Sequence, residues 1–256
     1  MRVIVTRPLR DAHNWVRDLS AAGFDALALP LIEIQAAGNT PALQQIWEQL
    51  PAYTGVMFVS GHAVDGFFAV RPAGVAMAAR AWATGPGTRA ALLRAGVDPQ
   101  GIDAPPAEVG QFDSEALWRA MGEQVRPGSR VLIVRGADGQ AAPAQGVGRD
   151  WFAQRVQEAG GTVDFVVAYQ RCLPHWNETQ LQQARQATSD GSVWIFSSSE
   201  AVLNLRACLP QQDWRAARAV ATHARIAAAA RQIGFGVVCE SRPMLADIKA
   251  SIESMR

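Results

Sequence analysis

A chain of 256 residues is long enough for one large or two ordinary domains, and with 49% hydrophobic and 18% charged residues it can build a core and is not a disordered polymer. A formal charge of +1 provides no global field to recruit nucleic acid or an anionic membrane, so an anionic ligand has to be held by local donors. Cys172, Cys208 and Cys239 are widely spaced and outside any CxxC pattern, which points away from a disulfide framework or a zinc site and towards a reducing cytoplasm, and neither a signal-peptide core nor a membrane-length apolar run is present.

RVIVT at 2–6 is a short apolar strand, and Pro8 opens a helix over 11–22 that Gly23 closes. Residues 26–34 read as a second strand interrupted by Pro30, which puts the tail 31–34 at a sheet edge or outside the sheet. A helix follows over 41–50. GVMFVS at 55–60 is then a buried strand feeding a helix over 62–68 through a tight turn. AWAT at 81–84 ends in Gly85, Pro86, Gly87 and Thr88 before a helix over 89–95, residues 103–111 read as loop, and Asp113 or Ser114 caps a helix over 115–124. RVLIVR at 130–135 is a strand, 136–148 a loop rich in Gly, Ala and Gln, 149–159 a helix and 163–169 a strand. A helix over 177–187 leads to SVWIFSSSEAV at 192–202, a strand over 193–197 with its helix over 199–208. The chain closes with a strand at 219–222, a helix over 224–233, a strand at 237–239 and a last helix started by Pro243.

Three patterns occur twice. RVIVTR at 2–7 returns as RVLIVR at 130–135, FVSGHAV at 58–64 as FSSSEAV at 196–202, and Ala83-Thr84 as Ala221-Thr222. Strands alternating with helices argue for parallel sheets covered on both faces. The repeats divide them into two similar doubly wound α/β domains. The first is discontinuous, 1–34 plus 171–256, and the second, 35–170, is inserted in it. The chain crosses between them near 33–35 and 169–171, a two-stranded link. In such sheets ligands bind beyond the carboxyl ends of the strands, where Thr6, Ser60, Thr84, Ser198 and Thr222 stand, so the two serine turns are expected to face a shared cleft. A strand-to-helix turn leaves backbone N–H groups without intrahelical partners, and these hold anions.

Thr6-Arg7-Pro8, Leu29-Pro30, Ser60 with Ala63-Val64, Gly85 with Thr88, FDSEAL at 112–117, Arg135-Gly136, Gly148-Arg149, Tyr169-Gln170-Arg171, Phe196-Ser197-Ser198 and ATHARIA at 221–227 together resemble the uroporphyrinogen-III synthase family over essentially the whole length. The sequence departs from that family at Val59, Ser197 and His62 and in a longer loop at 136–148. The resemblance implies two α/β domains with a cleft between them, no cofactor, and hydroxymethylbilane, a linear tetrapyrrole with eight carboxylates, as substrate. It also implies loss of water to an azafulvene and ring closure with inversion of ring D through a spiro intermediate.

On that reading Tyr169 is the expected proton donor, since a phenol keeps its proton at neutral pH and can pass it to a leaving oxygen. The expected carboxylate donors are the turn amides and hydroxyls of Thr6, Ser60, Gly61, Gly85, Thr88, Ser198, Ser199 and Thr222, with Arg7, Arg135 and Arg149 as charged partners. His62 and His223 begin helices and can donate or cap. No metal site is expected, and the protein is expected to act as a monomer. A second reading is a two-domain small-ligand binder with a carboxylate-binding cleft and no catalysis. The absence of GxGxxG after the first strand and of GxxxxGK(S/T) argues against nucleotide binding.

Overall fold

The computed structural model describes residues 1–37, 40–106, 114–138 and 149–255. The chain divides into two compact units, one of Met1–Glu33 with Cys172–Arg256 and the other of Ile34–Arg171. Both are α/β.

The first unit holds a five-stranded sheet of β1 (Arg2–Val5), β2 (Asp25–Ala28), β9 (Val193–Phe196), β10 (Arg218–Ala221) and β11 (Val237–Glu240), ordered β11-β10-β9-β1-β2. All its pairings are parallel. Central strands in such a sheet are covered on both faces, so Val3, Ile4, Val5 and Val193, Trp194, Ile195, Phe196 are all fully buried. Helices α1 (Leu9–Ala21) and α10 (Leu245–Glu253) cover one face through Leu19, Ile248 and Ile252. On the other, Trp194, Phe196, Trp214 and Phe235 form one aromatic cluster, and α8 (Ser199–Cys208) follows β9 while α9 (Ala224–Gln232) follows β10. Helix α7 (Glu178–Gln186) starts at a capping box, Asn177 accepting from Gln180 N while the Gln180 side chain accepts from Asn177 N.

The second unit holds six strands: β3 (Glu33–Ala36), β4 (Gly55–Phe58), β5 (Arg80–Ala83), β6 (Ile102–Asp103), β7 (Arg130–Asp138) and β8 (Thr162–Cys172), ordered β3-β8-β7-β4-β5-β6. Pairings from β8 to β6 are parallel. Helices α2 (Thr40–Gln49), α3 (Gly61–Phe68) and α4 (Pro86–Arg94) cover one face, and α5 (Ser114–Met121) and α6 (Arg149–Glu158) the other.

Numbered within itself, the first sheet runs 2-1-3-4-5, with β1 and β9 flanking the point where the winding reverses. The second has the same arrangement over five strands, but its β1-like and β2-like members, β7 and β8, come last in the chain. The repeated sequence patterns fall on equivalent strands: β1 with β7, β9 with β4, β10 with β5. The second unit is thus a circularly permuted version of the first.

Three expectations are corrected. Residues 26–34 are not one strand: β2 ends at Ala28, and the tail leaves that sheet, as Pro30 leads us to expect, to start the edge strand β3 of the other at Glu33, with the segment between tied by Leu31 N donating to Thr6 O, Trp176 Nε1 to Pro30 O and Asn204 Nδ2 to Leu31 O. Asp103, expected to open a loop, instead joins Ile102 in a short edge strand, held as Arg80 grips Asp103 through two hydrogen bonds of 2.6 Å; 107–111 of that expected loop lie outside the described residues. Gly136 to Asp138 prolong β7 instead of opening a loop; the rest of that expected loop, and the cap at Asp113, lie outside the described residues.

Candidate active site

The reversal point of the second sheet lies between β7 and β4, and the side chains at its carboxyl end come from four strands. Two residues beyond the end of β4, Ser60 caps α3 by accepting from Ala63 N at 3.2 Å. The same hydroxyl donates to Tyr169 Oη at 3.2 Å. His62, in the first turn of α3, lies with its ring centroid 5.8 Å from that of Tyr169.

Tyr169 reaches this place through an irregularity in β8. Arg135 pairs with Val167, but the next residue, Gly136, pairs with Tyr169, leaving Ala168 over. One extra residue reverses the alternation of side chains. Val166 and Ala168 belong to the α3 face, and the bulge puts Tyr169 on it too, with 5% of its surface exposed. Gly136 then lies beneath the ring, where a Cβ would come within 2.5 Å of Tyr169 Cζ. Gly66 performs the matching service in α3: a Cβ there would meet Ala168 O at 2.1 Å, so only glycine lets the helix sit this close to the bulge. Gly136 stands in the Arg135-Gly136 pair of the family resemblance, though nothing local marks it as lying under a ring, and Gly66 carries no obvious signal in the sequence.

On the other side of β4, Gly85 caps α4, and Thr88 in its first turn is 6% exposed with its hydroxyl 3.3 Å from that of Thr84. Pro86 to Thr88 are helical, so the expected glycine-rich turn is reduced to Gly85. Arg135 is 8% exposed, its guanidinium 4.5 Å from the centroid of Phe165. Arg149 opens α6; its side chain lies outside what is described.

The first unit repeats the pattern without a tyrosine. Ser198 caps α8 by accepting from Glu200 N at 3.2 Å, and Ser199 follows with its Oγ buried and no hydrogen-bond partner among the described residues. Thr222 N donates to Phe196 O, and His223 caps α9 through Nδ1, which accepts from Arg225 N at 3.1 Å. Thr6 is 1% exposed and donates to Ile195 O at 2.6 Å, so its hydroxyl ties β1 to β9. Arg7 stacks on Trp15 at 4.3 Å with its Nε buried and without a partner among the described residues. Burial lowers its pKa from the usual arginine value, with Asp11 acting in the opposite direction.

Among the described residues no group of three or more His, Cys, Asp or Glu is placed to hold a metal ion, and no helix is long and apolar enough to cross a membrane. What the carboxyl ends do offer is helix N-termini, hydroxyls, a half-buried arginine at 7, a buried one at 135 and a phenol. That is equipment for holding carboxylates and moving one proton.

The sequence profile of the family described as uroporphyrinogen-III synthase HemD matches residues 13–248. The chain belongs to the uroporphyrinogen-III synthase family. Its activity is that of a cyclising lyase in porphyrin, tetrapyrrole and haem biosynthesis. Two solved structures share the fold over the full length. Uroporphyrinogen-III synthetase from Helicobacter pylori 26695 is 15% identical with a TM-score of 0.61, each chain covered completely. A mutant uroporphyrinogen III synthase from the extreme thermophile Thermus thermophilus is 17% identical with a TM-score of 0.52, covering 100% of this chain and 98% of that one. At such identities the likeness is one of fold. Nothing in these comparisons favours the alternative of a small-ligand binder without catalysis.

Proposed function

We propose that this chain closes hydroxymethylbilane to uroporphyrinogen III with Tyr169 as the proton donor. The observation that carries the assignment is the position of its hydroxyl, 3.2 Å from Ser60 Oγ at the head of α3, beside the reversal point of the second sheet. The proton passes from the phenol to the departing hydroxyl, the C–O bond breaks as water leaves, and the pyrrole nitrogen's electron pair forms the azafulvene. The substituted carbon of ring D then attacks. The spiro intermediate opens and recloses with ring D inverted, and loss of the proton from the ring carbon replaces the one the phenol gave. Net change is the loss of one water.

A flexible linear substrate closes the simpler way unaided, so the protein's main contribution is orientation. Carboxylates are taken by the turns headed by Gly61, Gly85, Ser198 and Ser199, by Thr88 and Thr222, and by Arg7, Arg135 and Arg149. The same reading treats the two compact units as two domains of one build, linked where β3 and β8 straddle the division. It takes the protein as a cytoplasmic monomer that does not bind nucleic acid, in keeping with a net charge of +1 and three free cysteines.

The deciding experiment supplies freshly made hydroxymethylbilane and separates the products. The inverted isomer should dominate. Recovery of the symmetric isomer alone would refute the assignment.

A further inference from the structure

Ser60 makes two hydrogen bonds with one hydroxyl, and their directions matter. Its oxygen accepts from Ala63 N at 3.2 Å, and its single proton goes to Tyr169 Oη, also at 3.2 Å. A serine hydroxyl has one donor, so the cap and the bond to the phenol are made together. The phenolic oxygen, by accepting, keeps its own proton for another acceptor. Gly136 beneath the ring and the bulge at Ala168 hold the phenol at this spot.

The geometry points to Ser60 as a positioning residue that turns the proton of Tyr169 away from α3 and towards the departing hydroxyl. The inference rests on the reading of Tyr169 as proton donor. Without the serine proton, the phenol is free to donate to whatever acceptor stands at residue 60, and its proton is directed inwards. A donor to the phenolic oxygen also stabilises the phenolate that proton transfer leaves behind. Ser60 thus acts on the chemical step through Tyr169, and its effect belongs in kcat instead of KM.

Three substitutions separate this from a role in capping α3. Ser60→Thr keeps both acceptor and donor. Ser60→Ala loses both. Ser60→Asp keeps an acceptor for Ala63 N, and so keeps the cap, but offers the phenol only an acceptor. Steady-state kinetics on hydroxymethylbilane, with the inverted isomer quantified, should show Ser60→Thr retaining most of the wild-type kcat. Ser60→Ala should lose about 10-fold in kcat with KM within about twofold. Ser60→Asp should unfold at the wild-type midpoint yet lose at least as much kcat as Ser60→Ala.

In a Tyr169→Phe background, Ser60→Ala should cost nothing further. Activity that follows the cap, with Ser60→Asp active and Ser60→Ala not, would overturn the inference. So would an equal loss from Ser60→Ala in the presence and absence of the tyrosine hydroxyl, since Ser60 would then act on the substrate directly. Wild-type turnover by Tyr169→Phe alone is a different failure: it removes the proton-donor reading, and this inference with it.

Discussion

Gly136 and Tyr169 face each other across β7 and β8, and the ring of the tyrosine occupies the space a side chain at 136 would need, with Cζ 2.5 Å and Cε2 2.6 Å from an added Cβ. Gly136→Ala therefore has to move the ring. Overpacking of this kind costs about 1–3 kcal/mol, and the displaced hydroxyl loses its place beside Ser60. We expect a lower unfolding midpoint, together with a fall in kcat as large as that from removing the hydroxyl. Steady-state kinetics and thermal unfolding of the same preparation check both.

Tyr169→Phe removes the proposed acid while leaving a ring to fill its site. Loss of general acid catalysis predicts a drop in kcat of about 10- to 100-fold with little change in KM. Unchanged turnover would take Tyr169 out of the mechanism. The residual product should still be enriched in the inverted isomer, since folding of the substrate is assigned to the other groups.

Gly66→Ala tests the contact between α3 and β8. The obstruction is a backbone carbonyl, Ala168 O at 2.1 Å, which cannot swing aside as a side chain would. The helix must retreat and carry Ser60 with it. A loss of about 1–3 kcal/mol in stability is expected, with kcat falling as Ser60 and Tyr169 separate. An unfolding curve and the cyclisation rate give the two readings.

Ser199→Ala probes the first unit. Its Oγ is buried with no partner among the described residues, so removing it leaves no protein group unsatisfied and should not lower the unfolding midpoint. If the hydroxyl serves a substrate carboxylate, KM rises by about 2- to 10-fold, the worth of one hydrogen bond among many. An abolished reaction would contradict the view that binding is spread over several weak donors.

The amino end of the second sheet sets an alkaline limit. Tyr53 donates to Asp164 Oδ2 at 2.8 Å, and Arg130 donates to the same oxygen at 2.7 Å. Burial first, then the bond to Asp164, pushes the Tyr53 phenol up to about 12 from 10.0. Below pH 10.0 it is protonated in both folded and unfolded chains. Above that, the unfolded chain gives up the proton first, so this contribution to stability is lost as pH rises from 10.0 through about 12. Denaturant unfolding across this window should show a steeper decline for the wild-type protein than for Tyr53→Phe.

The strand-to-helix junctions were legible because a strand buried on both faces has to be apolar throughout, as Val131 to Val134 and Val193 to Phe196 are. Helix ends were legible where glycine adopts a positive φ, as Gly23, Gly96, Gly160 and Gly234 do. Edges were not. β3 is only partly buried and β6 has two residues, so neither leaves a hydrophobic pattern. At the candidate site the residue types could be read, but their relations could not. Nothing local marks Ala168 as a bulge, Gly136 as the floor under a ring, or Thr6 as a hydroxyl turned into the sheet, because each depends on which strand lies alongside.

The pairing of β1 with β9 brings together Thr6 and Ile195, 189 residues apart. A chain made from its N-terminus has produced every strand of β4 to β8 before β9 exists, and those strands complete a permuted sheet of their own. The unit that contains β1 and β9 is therefore the last to close during synthesis, and β1 must wait for its partner with an already folded body attached to it. Lesions in β9 to β11 would accordingly harm the nascent chain differently from lesions in β4 to β8: the former strand a finished half, the latter stall the first step.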